Sequence, residues 1–134
     1  MLRRRGKAST SLSFAPLAAI LGSWAAFFAL RTRMTFEVAM LELGGEAIYL
    51  SPAEIQIGKR ETVEDVGRNL ERWVDGIVIR TFAHDNVLRL GRTASIPVVN
   101  ALSDLLHPCQ AMADFLTLQE HKGDLGGLKL AWVG

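Results

Sequence analysis

Short apolar segments alternate along this chain with segments whose apolar residues recur at helical spacing, and this alternation constrains the fold most strongly. After a first apolar run, the strand-like segments are residues 47–50, 76–81, 97–100 and 128–133. The helical segments are residues 33–43, 63–73, 84–94 and 108–120. Strands that alternate with helices in this way predict a parallel α/β sheet with helices on both faces. With 134 residues and no obvious linker, the chain is expected to form one such domain.

The helical segments also predict which side chains pack inward, because apolar residues three and four positions apart lie on one face of a helix. In chain order, the residues expected to face the sheet are Phe36, Ala39, Met40 and Leu43, then Val63, Val66, Leu70 and Trp73, then Val87, Leu88 and Leu90, and finally Met112, Phe115, Leu116 and Leu118. Gly44-Gly45 is expected to end the first helix.

Charge and cysteine content exclude several classes of function. Residues 1–33 carry six basic and no acidic residues, whereas residues 34–134 carry a net charge of −5, so a basic nucleic-acid-binding surface is not expected. Cys109 is the single cysteine, which excludes an intramolecular disulfide and a cysteine-rich zinc module. His84 and His121 have no partner at metal-ligand spacing, so neither a metal nor another cofactor is expected.

The apolar run 14–30 follows Arg3-Arg4-Arg5 and allows three interpretations. A basic start before an apolar run resembles a signal peptide or membrane anchor, and an acid-free, Arg- and Ser-rich start resembles an organelle transit peptide. The third interpretation is a basic lead-in to a buried first strand. The run is about 17 residues long, at the lower limit for a bilayer span, and the α/β pattern that follows it favours the strand.

Three polar clusters lie at the predicted carboxyl ends of strands, where open parallel sheets bind their ligands. Arg31-Thr32-Arg33 opens a helix, Arg80-Thr81 ends the central strand, and His107-Pro108-Cys109-Gln110 opens the last helix. The first cluster is either an anion site, formed by a helix N-terminus and a guanidinium group, or a solvated basic turn.

The individual side chains leave alternatives open. Arg80 either pairs with a carboxylate such as Asp75 or Asp104, or faces an anionic ligand, because an unpaired buried charge is costly. His107 can donate to a carbonyl, act as a general acid or base, or cap its helix. Cys109 is expected to be an inert buried thiol, since it does not share a helix face with His107.

Taken together, these clusters resemble the carbamoyl-phosphate-binding domain of ornithine carbamoyltransferases. The similarity spans residues 30–134 and is carried by Leu30-Arg31-Thr32-Arg33 followed by MTFEVAMLELGGEAIYLSPAEIQIGKRET, then by VDGIVIRTF and SIPVVNALSDLLHPCQAMADFLTLQEHKG. The resemblance implies transfer of the carbamoyl group from carbamoyl phosphate to the δ-amine of ornithine, giving citrulline and phosphate. It also implies a role in arginine biosynthesis or a urea cycle.

The resemblance implies specific roles for five residues. Arg31 and Thr32 would hold the phosphate, and Arg80 would bridge the phosphate and the carbonyl oxygen. His107 and Thr32 would also contact that oxygen, and Gln110 would recognise the carbamoyl amine. Arg80, His107 and Thr32 are therefore the expected catalytic residues. The family's active site lies at a homotrimer interface, where residues 58–61 of this chain occupy the place of a neighbour's loop.

The chain departs from the family pattern at both ends. Residues 1–29 form an atypical basic and apolar segment. The resemblance implies that Ala29 stands in place of a phosphate-contacting serine, and the lost contact is expected to cost about 1–3 kcal/mol. Residues 30–134 are expected to be the carbamoyl-phosphate-binding domain, with the ornithine-binding domain absent, as in a fragment. Cytoplasmic localisation is expected, with organelle targeting as the alternative.

Three functions follow as hypotheses. The first is the carbamoyl-phosphate-binding half of an ornithine carbamoyltransferase, or of a carbamoyltransferase with another amine acceptor. The second is a non-catalytic module that binds phosphate or carbamoyl phosphate. The third is a degenerate or membrane-associated chain dominated by residues 1–30, which is the least favoured of the three.

Overall fold

A four-stranded parallel sheet organises the chain. The computed structural model describes residues 16–21, 30–55, 57 and 60–133. The elements in chain order are β1 (Leu17–Leu21), α1 (Leu30–Glu42), β2 (Glu46–Leu50), α2 (Pro52–Ile55), α3 (Val63–Leu70), β3 (Gly76–Arg80), α4 (His84–Thr93), β4 (Val98–Leu102) and α5 (Pro108–Lys122). The predicted α/β alternation and parallel sheet are confirmed.

The strand order β2-β1-β3-β4 determines where a ligand can enter. After β1 the chain continues to β2, which lies at one edge of the sheet. After β3 it continues to β4, which lies at the opposite edge. β1 and β3 are neighbours, with Leu21 opposite Ile79. Because successive connections diverge there, a crevice is expected at the carboxyl ends of β1 and β3, which is the topological switch point.

The main core lies on the sheet face covered by α3 and α4. Alternate strand residues point to this face, among them Leu21, Ile77 and Ile79, which are each no more than 1% exposed. Helices α3 and α4 contribute Val63, Val66, Leu70, Val87 and Leu90 to the same cluster. The inward positions predicted for these helices are thus confirmed, apart from Leu88 and Trp73.

The opposite face has a smaller core. Ile20, Val78 and Ala101 are buried there, with Phe36 of α1 packed partly against them. Helix α5 lies beside β4 but has no buried residue. The prediction that Met112, Phe115 and Leu116 pack inward is wrong, since all three are exposed, and Leu118 is half-buried. Helical spacing marks a face as apolar, but it cannot tell whether another element covers that face.

Three other sequence predictions are wrong. Residues 128–133 form no strand, and their large apolar side chains are exposed because they pair with no edge of the described sheet. Trp73 is 66% exposed because α3 ends at Leu70, so the helical face does not continue to it. Leu43 is exposed in the turn after α1, where Gly44 adopts a φ of 77°.

The buried-strand interpretation of the first apolar run is confirmed for β1, whose residues 18–21 are buried. Residues 1–15 and 22–29 lie outside the described residues. The signal-peptide, membrane-anchor and transit-peptide interpretations concern residues in these ranges, as does the replacement at Ala29. Residues 58 and 59 of the predicted subunit-contact loop also lie outside the described residues. Within the described ranges, no helix is both long and apolar enough to cross a membrane.

Candidate functional site

Arg80 is the last residue of β3 and lies half-buried at the switch point. Its guanidinium donates a hydrogen bond to Thr32 Oγ1 over 2.7 Å. The alternative in which Asp75 or Asp104 neutralises Arg80 is wrong. Asp75 accepts a hydrogen bond from the backbone of Leu17, and Asp104 accepts one from the backbone of His84. Among the described residues, no carboxylate forms an ion pair with Arg80.

Thr32 belongs to the first turn of α1, which follows β1 in the chain. Its side chain and that of Arg80 line a small pocket whose walls include Ile20, Val78 and Ala101. The first backbone N–H groups of a helix have no partners within the helix, and they give its N-terminus a partial positive charge. The contact between Thr32 and Arg80 thus places a hydroxyl and a guanidinium side by side near the N-terminus of α1, and these groups together can hold an anion.

The two other residues of the first cluster differ from each other. Arg31 has an exposed side chain in the first turn of α1, beside Thr32. Arg33 contacts the pocket but is already engaged, because its Nε donates to Glu37 over 2.7 Å and its guanidinium lies 4.2 Å from the centre of the Tyr49 ring. Arg31, rather than Arg33, is therefore the arginine of α1 that is available to an anion.

His107 is the N-cap of α5, as one of the three sequence alternatives stated. Its Nδ1 accepts a hydrogen bond from the backbone N–H of Gln110 over 3.3 Å. Since Nδ1 is an acceptor, the proton of the neutral ring is on Nε2. The capping contact thus leaves an exposed Nε2–H donor, so capping and donation to a ligand are compatible in one side chain.

Gln110 occupies the first turn of α5, and its side-chain amide donates to Asp114 over 2.8 Å. Neither His107 nor Gln110 makes a hydrogen bond to Thr32 or Arg80 in the described part of the chain. The sheet nevertheless places them nearby, because β4 neighbours β3 and Arg80 is in register with Leu102. The structure thus joins Thr32 and Arg80 directly, and it places His107 and Gln110 after the next strand along the same edge.

Cys109 has the environment expected of an unreactive thiol. Its Sγ lies 3.4 Å from the carbonyl oxygen of Asn100, and burial raises the pKa of the thiol. A raised pKa lowers the fraction of the nucleophilic thiolate at neutral pH. Within the described ranges, no group of His, Cys, Asp and Glu side chains is arranged to hold a metal ion.

Sequence reasoning missed the residues that support this edge of the sheet. Ser103 is 6% exposed, and its Oγ lies 2.8 Å from Nδ1 of His84. The sequence does contain the two residues at recognisable places, since Ser103 directly follows the apolar strand 98–102 and His84 begins α4. Their pairing was not predictable, because a contact between residues 19 positions apart depends on the packing of two elements.

The comparison with protein families identifies the domain. The model of the aspartate/ornithine carbamoyltransferase carbamoyl-P binding domain matches residues 24–120. The chain belongs to this family. All five predicted site residues, Arg31, Thr32, Arg80, His107 and Gln110, lie within the matched region.

Curated relatives of this chain carry the name ornithine carbamoyltransferase. The protein from Thermus thermophilus is 59% identical over 105 residues, which are 78% of this chain and 35% of that protein. The protein from Methanoculleus marisnigri is 53% identical over 104 residues, which are 78% of this chain and 34% of that protein. The chain thus spans about a third of the length of these relatives.

Solved structures show the same fold. Ornithine carbamoyltransferase from Thermus thermophilus superposes with a TM-score of 0.80 at 54% identity, over 89% of this chain and 40% of that one. The enzyme from Pyrococcus furiosus superposes with a TM-score of 0.78 at 42% identity, over 85% of this chain and 36% of that one. The chain is therefore similar to these enzymes in fold as well as in sequence.

Proposed function

We propose that this domain binds carbamoyl phosphate at the carboxyl ends of β1 and β3, as the carbamoyl-phosphate-binding part of an ornithine carbamoyltransferase. The observation that carries the proposal is the half-buried Arg80 guanidinium, which donates to Thr32 and has no ion-pair partner among the described residues. A guanidinium held in this way is prepared for an anion, because it gains charge-assisted hydrogen bonds when the anion enters.

The proposed phosphate site lies at the start of α1. Arg31 and Thr32 bind the phosphate oxygens with the help of the helix N-terminus, and Arg80 reaches both the phosphate and the carbonyl oxygen. Support comes from the exposure of Arg31 and from the contact between Thr32 and Arg80. This cluster of donors accounts for recognition of the anionic half of carbamoyl phosphate.

The proposed carbamoyl site adds the start of α5. The exposed Nε2–H of His107 donates to the carbonyl oxygen together with Arg80 and Thr32. Gln110 accepts from the carbamoyl NH₂ group through its Oε1, while its Nε2 keeps the bond to Asp114. When the amine of ornithine attacks the carbonyl carbon, negative charge develops on the oxygen, and these donors stabilise it. The new C–N bond forms, and the bond between the carbonyl carbon and the bridging oxygen breaks. The bridging oxygen leaves as part of the phosphate, which takes up the proton lost by the amine, giving citrulline and phosphate.

The reaction of an intact carbamoyltransferase requires more than this domain. The chain spans about 35% of its Thermus thermophilus relative, so we assign the acceptor amine to a site in the part that is not matched. We propose a homotrimer and a cytoplasmic location by resemblance to the family. For the pathway, we propose arginine biosynthesis, although a 51% identical relative from Thermoplasma volcanium is named catabolic.

The direct contact between Arg80 and Thr32, which involves no site for an acceptor amine, also fits a second candidate, a module that binds carbamoyl phosphate without turning it over. Reconstitution distinguishes the two functions. The full 134-residue chain is mixed with a separately produced ornithine domain of the Thermus thermophilus relative, and citrulline is measured with carbamoyl phosphate and ornithine present. We expect citrulline from the wild type and not from Arg80→Ala. A folded, trimeric mixture that makes none would favour the binding module.

A further inference from the structure

Ser103 connects the strand β4 to the turn that precedes His107. Its backbone N–H donates to the carbonyl oxygen of Leu106 over 2.9 Å, and its Oγ accepts from the N–H of Leu106 over 3.1 Å. The turn 103–106 is closed by these bonds and leads directly into the N-cap of α5. The orientation of the Ser103 side chain therefore affects the position of His107.

His84 makes the shortest contact of this hydroxyl, at 2.8 Å from Nδ1. A serine hydroxyl carries one proton and two lone pairs. Both lone pairs of Oγ are used, because the N–H of Leu106 and the side-chain amide of Asn100 donate to it, over 3.1 Å and 3.4 Å. The hydroxyl proton has two acceptors within reach, Nδ1 of His84 at 2.8 Å and the carbonyl oxygen of Leu106 at 3.2 Å, and the contact with His84 is the shorter.

Two further bonds join the segment after Arg80 to the same turn. The backbone N–H of His84 donates to Asp104 Oδ1 over 2.9 Å, and the N–H of Asp104 donates to the carbonyl of Phe82 over 2.8 Å. Helix α4, which begins at His84, is anchored in the core by Val87 and Leu90. The turn before His107 is thus attached to the segment that leaves Arg80.

We propose that His84 is a positioning residue, which acts through Ser103 to set His107 and Gln110 relative to Arg80. The consequence for ligand binding rests on the proposed function. Inorganic phosphate needs only the cluster of Arg31, Thr32 and Arg80, whereas carbamoyl phosphate also needs the start of α5. Loss of the link should therefore affect carbamoyl phosphate selectively.

The test compares His84→Leu with His84→Asn in the full chain, because the asparagine amide retains a hydrogen-bonding group near the place of Nδ1. Asn86→Ala is the matched control, since Asn86 lies in the same helical turn but donates to Thr81. Backbone amide spectra are recorded first without ligand. We expect the Leu106 and Gln110 resonances to shift in His84→Leu and to return towards their wild-type positions in His84→Asn. Unchanged β1 resonances would establish that each variant is folded.

Titrations with carbamoyl phosphate and inorganic phosphate follow. We expect His84→Leu to weaken carbamoyl phosphate binding about three- to tenfold and phosphate binding by less than about twofold, as for one lost hydrogen bond. Unshifted Gln110 resonances in folded His84→Leu would overturn the inference, as would equal shifts in Asn86→Ala. If the wild type does not bind carbamoyl phosphate, the proposed function fails, and the ligand-free spectra still decide the role of His84.

Discussion

The contacts of three arginines show why Arg80 indicates a ligand site. Arg89 forms two parallel hydrogen bonds of 2.7 Å with Glu64, and Arg33 is held by Glu37 and the Tyr49 ring. Those contacts give each guanidinium a partner for its charge and stabilise the helices to which the two arginines belong. Arg80 instead donates to the uncharged hydroxyl of Thr32, so its positive charge remains available to an anion.

Replacement of Thr32 by valine tests this arrangement at one atom. Thr32→Val keeps the shape of the side chain and removes the hydroxyl, so both the bond to Arg80 and a donor to the ligand are lost. We expect phosphate affinity to fall by about 1.5–3 kcal/mol, the usual range for a hydrogen bond to a charged group. Isothermal titration calorimetry measures the change.

Thr35→Val is the control for this prediction. Its hydroxyl donates to the carbonyl of Arg31 one turn further along α1, away from the pocket lining. An equal loss of affinity in both variants would mean that helix stability, rather than the Thr32 contact, explains the effect.

An ion pair between Arg89 and Glu64 joins α4 to α3 on the surface of the main core. The hydrogen bonds from Arg89 are the main reason that the pKa of Glu64 is lowered to about 2. A carboxylate whose pKa is lower in the folded than in the unfolded chain stabilises the fold above the unfolded-state value. That contribution disappears as the pH falls towards the folded-state pKa.

The pH dependence of unfolding tests this contact. We expect Glu64→Gln to unfold at a lower urea concentration than the wild type at pH 7, by a small margin because the pair is partly exposed. The difference should shrink between about pH 5 and pH 2, where Glu64 loses its charge. Glu120→Gln, which removes an exposed carboxylate of α5, should leave the midpoint unchanged at both pH values. A difference that persists at pH 2 would exclude the ion pair as its cause.

The elements also show what could be predicted from the sequence. The alternation of short apolar segments with segments of helical spacing was sufficient to predict the four strands and the helices α3 and α4. The two kinds of segment can be distinguished because strands and helices have different periods and because both faces of β3 are buried. The same patterns wrongly predicted that the apolar face of α5 is buried and that residues 128–133 form a strand. Apolar spacing records which side chains are apolar, whereas burial depends on what packs over them.

For the molecule as a whole, the candidate site depends on the order of strands, which local patterns do not show. The three polar clusters were recognisable at strand ends, and the parallel sheet brings those ends to one edge. The partner of Arg80 was not predictable, because Thr32 is 48 positions away and becomes its neighbour only when β1 and β3 pair. The identities of these residues were thus predicted, and their contacts came from the fold.

We propose that this edge of the sheet is a preformed site for carbamoyl phosphate. The most direct measurement is a two-dimensional amide NMR titration of the full chain with carbamoyl phosphate, with Arg80→Ala as the control. We predict dispersed spectra in which resonances at the starts of α1 and α5 shift saturably in the wild type only. Saturable shifts of the same size in folded Arg80→Ala, or no shifts in a folded wild type, would contradict the claim.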